Sequence, residues 1–324
     1  MPARLDDFRR AAHACLTRAA HHGAGLSNSD LPDLPTMSAT GFILTLSCPD
    51  QPGIVHAVSG LLFQHGCNIV DSDQYGDAFT GRFFMRVHFT PAAGGPDLAV
   101  LRQAFVPVGD QFGMQWEVFD ATVRPRVMIM VSKIGHCLND LLFRAKVGGL
   151  PVEIAAIVSN HRDFYQLAAS YDVPFFHLPL MNASAEQKTA QEARVFEVVR
   201  DQNIDLVVLA RYMQVLSNDL CRKLAGRAIN IHHSFLPSFK GAKPYYQAHD
   251  RGVKLIGATA HYVTADLDEG PIIEQEIERV DHSMDPEQLT AVGRDVECVA
   301  LARAVKWHAE HRILVNGHKT VVFK

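Results

Sequence analysis

The sequence of 324 residues lacks several features that mark whole classes of protein. Its six cysteines form no C-x-x-C pair, so nothing indicates a zinc knuckle or a redox dithiol, and we expect neither a metal nor another cofactor. No apolar run approaches the roughly 18 residues that span a bilayer, and the N-terminus has no apolar signal core. A net charge of -4 gives no basic field for nucleic acid or anionic lipid. These absences predict a cytoplasmic protein with reduced thiols that binds neither membranes nor nucleic acid.

The length and a hydrophobic content of 48% are enough for two packed cores. Residues 1–37 begin with an Ala-, Arg- and His-rich stretch and continue into a loop-like segment with Gly, Ser, Asn and Pro. We interpret them as an N-terminal extension that is disordered or dispensable. Two alternatives are an organellar transit peptide, against which Asp6 and Asp7 count, and an upstream start codon with Met37 as the true first residue.

Residues 41–121 have a compact alternating pattern. The strand-like run FILTLS is followed by the turn CPDQPG and by the helical stretch IVHAVSGLLFQHG. Two further strand-like runs, CNIVDSDQY and RFFMRVHF, precede a second helical stretch, PDLAVLRQAFVPVGDQF, and a last strand, MQWEVFDA. The order βαββαβ predicts a ferredoxin-like α+β domain, in which two helices cover one face of a four-stranded antiparallel sheet.

A short Pro-containing linker, residues 122–126, leads to a different pattern over residues 127–324. The apolar runs VMIMVS, VEIAAIVSN, FFHLPL and DLVVLA alternate with predicted helices near residues 137–147, 161–171 and 184–202. Continuous apolar strands joined by helices indicate a mostly parallel sheet that is covered on both faces. The sequence therefore predicts a second domain of the α/β class, with a Rossmann-like sheet.

A polar cluster follows the strand-like run AINI in this second domain. Asn230 and His232 share one side of the run because alternate side chains of a strand point the same way, and Asp268 follows later in a loop. An amide can donate to the oxyanion of a tetrahedral intermediate, a histidine can move protons, and a carboxylate can orient that histidine. No G-x-S-x-G sequence surrounds Ser234, which favours direct attack by water or an amine. Spacing alone leaves open that the His-His pair is structural.

Residues 127 to about 310 resemble the formyltransferase family that uses 10-formyltetrahydrofolate. The family signature, Asn-x-His-x-Ser-x-Leu-Pro followed by an Asp in a Leu-Asp-x-Gly-Pro loop, matches NIHHSFLP and LDEGP in this chain. The resemblance implies catalytic roles for Asn230, His232 and Asp268, with a folate as the substrate. It also implies a folate-binding segment in LARYMQVL, where Gln214 replaces the Arg of ribonucleotide-specific relatives. The substrate-binding candidates are Arg211, Met213, Gln214, Leu216, His233, Ser234, Gly241, His261 and Glu269.

Three features favour the hydrolase branch of that family over the transferases. Where ribonucleotide transferases have a Gly-rich turn for the substrate phosphate, this chain has SKIGHCLNDLL, with only Gly135. The run HHSFLPSFKGAKPYYQA resembles the hydrolase branch, and so does the fusion to the first domain, which resembles an ACT module. The resemblance implies hydrolysis of 10-formyltetrahydrofolate to formate and tetrahydrofolate, which balances one-carbon pools and supplies formate for purine biosynthesis. The alternatives are formyl transfer to an amine acceptor and a catalytically silent folate or amino-acid sensor.

The resemblance to an ACT module implies a regulatory or oligomeric role for residues 41–121. ACT modules bind small ligands, often amino acids, near the first loop and frequently between two copies. The effector candidates here are Asp50, Gly53 and Asn68, and glycine or methionine would be the effector. We also expect a homo-oligomer, a dimer or tetramer, through this domain. The alternative is a dimerisation platform that binds no ligand.

Overall fold

The first part of the chain forms the predicted βαββαβ order. The computed structural model describes residues 41–180, 184–236 and 244–324, so the predicted N-terminal extension lies outside the described residues. The elements are β1 (Phe42–Pro49), α1 (Ile54–Gln64), β2 (Cys67–Asp77), β3 (Arg82–Pro91), α2 (Leu98–Phe112) and β4 (Gln115–Asp120). The strands pair in the order β2-β3-β1-β4, and every neighbouring pair is antiparallel. The predicted α+β fold is confirmed.

Strand β3 is buried on both of its faces. The face that packs against α1 and α2 buries Phe83, Met85, Val87 and Phe89. On the opposite face, Phe84 packs against Leu314 and Phe323 near the end of the chain. Because side chains alternate along a strand, the run RFFMRVHF supplies both contacts. The sequence predicted that two helices pack on one face of the sheet. It did not predict that residues near the end of the chain pack on the other face.

The second part of the chain alternates strands and helices as predicted. Its elements are β5 (Arg126–Val131), α3 (His136–Lys146), β6 (Glu153–Ser159), α4 (Tyr165–Ser170), β7 (Phe175–His177), α5 (Ala185–Asp201), β8 (Leu206–Leu209), α6 (Asn218–Lys223), β9 (Ala228–His232), α7 (Pro244–Asp250), β10 (Leu255–Tyr262), β11 (Ile272–Arg279), α8 (Pro286–Ala309), β12 (Ile313–Asn316) and β13 (Lys319–Val322). The main sheet has the order β11-β10-β9-β8-β5-β6-β7. The helix predicted near residues 161–171 is shorter, because residues 161–164 form turns before α4.

Five strands of the main sheet are parallel, and β10 and β11 are antiparallel. The central strand β5 shows why the sheet is covered on both faces. Val127, Ile129 and Val131 pack in one core with residues of α3 and α8, and Met128 and Met130 pack in a second core with residues of α5 and α6. This burial on both faces explains the continuous apolar runs and confirms the mostly parallel α/β fold.

Helix α8 is the longest described helix, with 24 residues. Asp285 caps its first turn through a capping box with Gln288, and Pro286 takes the first helical position, where a missing N–H costs nothing. The segment after α8 is hydrogen-bonded to strand β3 of the first sheet. The Arg86 guanidinium donates two hydrogen bonds to the main-chain carbonyl of Glu310, at 3.1 and 3.2 Å. Among the helices described, none is long and apolar enough to cross a membrane.

Candidate active site

A pocket of about 280 Å³ opens where β8 and β9 end, beside the loop that follows β10. Pockets of open α/β sheets form at this edge because the carboxyl ends of parallel strands meet there. The pocket is lined by most of the residues singled out from the sequence, namely Arg211, Met213, Gln214, Leu216, Asn230, His232, His233, His261 and Asp268. Strand order therefore brings together side chains that lie far apart in the sequence.

Asn230 and His261 meet because they are paired across β9 and β10. The Nδ2 atom of Asn230 lies 3.2 Å from Nε2 of His261, and Nδ1 of His261 lies 2.9 Å from the Tyr262 carbonyl oxygen. A carbonyl only accepts, so the Nδ1–H of His261 donates to it, and Nε2 is left to accept from the Asn230 amide. Burial lowers the pKa of His261, in keeping with a neutral ring. One Asn230 N–H is thereby held, and the other is available to a ligand.

His232 and Asp268 are hydrogen-bonded in the same pocket. The distance from His232 Nδ1 to Asp268 Oδ2 is 3.3 Å, and His261 Nε2 lies 3.7 Å from Asp268 Oδ1. The hydrogen bond from His232 holds the pKa of Asp268 below its ordinary value. Asp268 therefore carries a negative charge that orients the His232 ring. With Nδ1 engaged, Nε2 of His232 is the nitrogen that can exchange a proton with a substrate.

The loop that carries Asp268 is held against β10 by a close backbone approach. A Cβ on Gly270 would lie 1.7 Å from the Tyr262 carbonyl oxygen, so only glycine fits there. The Tyr262 N–H donates to the carbonyl of Pro271 at 3.0 Å, which fixes the loop to the end of the strand. Asp268 itself has a left-handed backbone with φ of 58°. The Asp-Glu-Gly-Pro step thus determines where the carboxylate points.

His233 and Arg211 line another part of the pocket. Burial, the charge of Arg211 and the neighbouring His232 lower the pKa of His233 to about 4, so His233 is neutral near pH 7. The Arg211 side chain is buried, and its Nε lies 3.5 Å from Oε2 of Glu297. Arg211 also has a left-handed backbone, with φ of 66°, at the turn after β8. This side of the pocket therefore combines a neutral histidine with a buried cation.

Comparisons with known proteins agree with this geometry. A formyl transferase family model matches residues 125–305, and an ACT domain model matches residues 42–98. The chain is 50% identical to the formyltetrahydrofolate deformylase of Corynebacterium sp. (strain P-1), over 87% of this chain and 98% of that protein. It is 49% identical to the one from Bacillus subtilis, over 86% of this chain and 93% of that protein. The crystal structure of the formyltetrahydrofolate deformylase from Burkholderia mallei matches with a TM-score of 0.83 and 56% identity, covering 88% of this chain and 100% of that one.

The chain belongs to the formyltetrahydrofolate deformylase family. This confirms the family, the order of the ACT and formyltransferase domains, and the hydrolase branch that the sequence indicated.

Some of the predicted substrate-binding residues are outside the pocket lining. Of the candidates in the described ranges, Ser234 and Glu269 are not part of the pocket lining. Ser234 is buried, and its carbonyl accepts a hydrogen bond from the Thr259 hydroxyl at 3.0 Å. Glu269 is exposed next to Asp268. Gly241 lies outside the described residues.

The three effector candidates do not meet within one chain. Asp50 and Gly53 lie between β1 and α1, next to Pro49, which pairs with Arg82 at the start of β3. Asn68 pairs with Thr90 near the other end of β3. At about 3.4 Å per residue, these two ends of β3 are roughly 27 Å apart. A site containing all three residues therefore requires a second copy of the chain.

Sequence reasoning missed a buried carboxylate beside the pocket. Glu297, on α8, accepts from Tyr245 Oη at 2.8 Å and lies 2.8 Å from His136 Nε2. Its pKa is lowered, because the contacts with His136 and Arg211 outweigh the burial that would raise it. A signal was present, since Glu297 lies one helical turn before Ala300 and Leu301, on the apolar face of α8.

The start of α3 differs from a phosphate-binding turn. Gly135 precedes α3, and a Cβ there would lie 2.3 Å from the Phe164 ring. The glycine thus makes room for an aromatic side chain. His136, the first residue of α3, is turned towards Glu297. Apolar packing and a carboxylate at this helix N-terminus are unfavourable for a bound phosphate.

Proposed function

We propose that Asn230, His232 and Asp268 catalyse the deformylase reaction, hydrolysis of 10-formyltetrahydrofolate to formate and tetrahydrofolate. The observation that carries this proposal is the position of His232. Its Nδ1 is paired with Asp268, and its ring lines the same pocket as the Asn230 amide. A proton carrier, the carboxylate that orients it and an oxyanion donor thus converge on one space. These are the groups that acyl transfer to water needs.

In the proposed reaction, the formyl oxygen lies against the free N–H of Asn230. A water molecule attacks the formyl carbon, and its proton passes to Nε2 of His232. The tetrahedral oxyanion is stabilised by the Asn230 amide, whose orientation His261 holds. His232 then gives the proton to N10 as the bond from carbon to N10 breaks. Asp268 stabilises the imidazolium between these two steps, and formate and tetrahydrofolate leave.

The choice of water over an amine acceptor has support at the start of α3. Transferases that use a ribonucleotide need a phosphate cradle, whereas here Phe164 packs against Gly135 and Glu297 faces His136. Water needs no phosphate cradle. Hydrolysis is therefore favoured over transfer.

The folate is proposed to lie along the segment after β8. Tyr212 and Leu216 are buried, while Met213 and Val215 remain exposed at 55% and 56%. Exposed apolar side chains at the rim of a pocket can pack against an aromatic ring system such as a pteridine. Gln214 adds an amide group to this lining. On another part of the lining, the neutral His233 is proposed to face the water molecule that attacks the formyl carbon.

We further propose that the ACT domain pairs two copies of the chain through β2. This strand is at the edge of its sheet and is exposed over most of its length, with Val70 and Tyr75 at 49% and 47%. An unpaired edge strand favours pairing with another strand. Such a dimer would bring Asn68 of one copy near the effector loop of the other, so an amino acid, glycine or methionine, is the proposed ligand.

The hydrolysis proposal is tested by kinetics. Purified protein should release formate from 10-formyltetrahydrofolate with no amine present, and the Asn230→Ala variant should lower turnover by about 10²–10³-fold. A requirement for an amine acceptor would contradict hydrolysis.

The dimer proposed for the ACT domain is tested by sedimentation. Val70→Lys should shift the protein to a smaller species, whereas Val147→Lys, at an exposed position after α3, should not. If neither glycine nor methionine changes the rate or the melting temperature, the domain is a platform only.

A cytoplasmic location is also proposed. Cys48, Cys67, Cys137, Cys221 and Cys298 are free thiols, which is the usual state of cysteines in a reducing compartment.

A further inference from the structure

A group of nitrogen and sulfur atoms lies where α3 begins and packs against α8. One ring nitrogen of His136 and the sulfur atoms of Cys137 and Cys298 all lie within 4.8 Å of one another. The two cysteines come from different helices that are far apart in the sequence. No C-x-x-C spacing marks this group, so the sequence predicts no metal here.

The two nitrogens of His136 have different surroundings. Nε2 lies 2.8 Å from Oε2 of Glu297, a carboxylate that also accepts from Tyr245 Oη and lies 3.5 Å from Arg211 Nε. Nε2 therefore carries the hydrogen, and Nδ1 carries the lone pair. Nδ1 is buried and makes no hydrogen bond within the described part of the chain. A histidine whose second nitrogen donates to a carboxylate is the usual arrangement of a metal ligand.

The two thiols are suited to a soft divalent ion. Cys137 is fully buried, and Cys298 is partly buried. Both are free thiols, and a bound metal would displace their protons. Thiolate and imidazole ligands together favour zinc over magnesium or calcium.

The charges of the surrounding groups balance with a divalent ion. Two thiolates and Glu297 carry three negative charges, and Arg211, 3.5 Å from Glu297, carries one positive charge. A doubly charged ion makes this buried group neutral. A monovalent or trivalent ion would leave an uncompensated charge, which is costly in the interior of a protein.

We propose that His136 Nδ1, Cys137 and Cys298 bind a zinc ion, with Glu297 as the carboxylate that orients His136. The three ligands leave a fourth position for water, as zinc is normally tetrahedral. The ion would tie the start of α3 to α8 and would hold Glu297 and, through it, Arg211 at the pocket. Its role is to position these residues, because neither Cys137 nor Cys298 lines the pocket that holds Asn230 and His232.

The experiment uses the full-length reduced protein, freed of metal by dialysis against a chelator. Zinc binding is measured by competition with a chromophoric chelator, and cobalt binding by the thiolate-to-cobalt charge-transfer band. We expect one equivalent of either ion. Cys298→Ser should weaken zinc binding by at least about 100-fold and remove part of the charge-transfer band, and Glu297→Gln should weaken it by about 10–100-fold.

The matched control is Cys67→Ser, which removes another partly buried thiol at the start of β2. This variant should bind zinc like the wild type. Melting temperatures of the metal-free variants check that each protein is folded. Zinc binding that Cys298→Ser leaves unchanged would overturn the proposal, and so would a folded wild-type protein that binds less than one equivalent.

Discussion

Asn230 donates a hydrogen bond from Nδ2 to Nε2 of His261 over 3.2 Å, and the two residues are directly paired across β9 and β10. His261 thereby sets which way the amide of Asn230 faces. It can do so only as a neutral ring, which its burial favours by lowering the pKa, while the bond from Nδ1 to the Tyr262 carbonyl leaves Nε2 as the acceptor. In the proposed reaction, His261 is a positioning residue for the oxyanion donor.

Replacing His261 should therefore impair turnover more than substrate binding. In His261→Leu the Asn230 amide loses its acceptor and can rotate, so we expect kcat to fall by about 10-fold or more with little change in KM. Steady-state kinetics measure this difference. In the Asn230→Ala background the same substitution should cost almost nothing further, because its effect acts through that amide. Equal losses in both backgrounds would show that His261 acts independently of Asn230.

Removing the charge of Asp268 should lower turnover while leaving the shape of the loop intact. Asp268→Asn removes the carboxylate that lies 3.3 Å from Nδ1 of His232, so the ring loses its preferred tautomer and the imidazolium its counter-charge. We expect kcat to fall by about 10²–10⁴-fold, as for other residues that orient a catalytic histidine. The control is Asp163→Asn, at an exposed position before α4, which should keep wild-type kinetics. A fall of less than twofold in Asp268→Asn would exclude this role.

A methyl group at Gly270 should disrupt the site through the backbone. Its Cβ would lie 1.7 Å from the Tyr262 carbonyl oxygen, so the Gly270→Ala loop must move away from β10 and take Asp268 with it. We expect both a lower melting temperature and a loss of activity. Gly60→Ala is the matched control, because that helical glycine has open space around it and should gain about 0.5–1 kcal/mol of stability. Calorimetry and formate release measure the two effects.

Histidines near the end of α8 should make the protein less stable in mild acid. Burial lowers the pKa of His308 to about 4, and burial together with His308 and Arg86 lowers that of His311 to about 4. The unfolded chain takes up these protons near pH 6.5, whereas the folded chain resists until about pH 4. Their contribution is thus fully present above pH 6.5 and is lost as the pH falls to about 4, by at most about 1.4 kcal/mol per pH unit for each histidine.

The test substitutes His308 with glutamine, whose side-chain oxygen can still accept from the Tyr262 hydroxyl. The free energy of unfolding of His308→Gln should fall less steeply between pH 6.5 and 4 than that of the wild type. His282→Gln, at an exposed position, should leave the slope unchanged. If the three slopes agree, His308 does not govern the acid sensitivity.

The sequence by itself determined the order of strands and helices, because each element is encoded by a periodicity among neighbouring residues. The run VMIMV predicted a strand buried on both faces, and β5 packs against two cores. Alternation along AINIH likewise placed Asn230 and His232 on one side of β9. The family signature added Asp268, whose place beside His232 no local pattern could give.

The tertiary structure alone decided the contacts between distant segments. The antiparallel β10 placed His261 opposite Asn230, and the close approach at Gly270 brought Asp268 to His232. Helix packing set Glu297 against His136 and Cys298 near Cys137, and the end of the chain covered the second face of β3. Such contacts depend on strand order, register and the packing of whole elements. They form only when the sheet and helices assemble, whereas the sequence pattern carries information about the periodicity of residues that are close together along the chain.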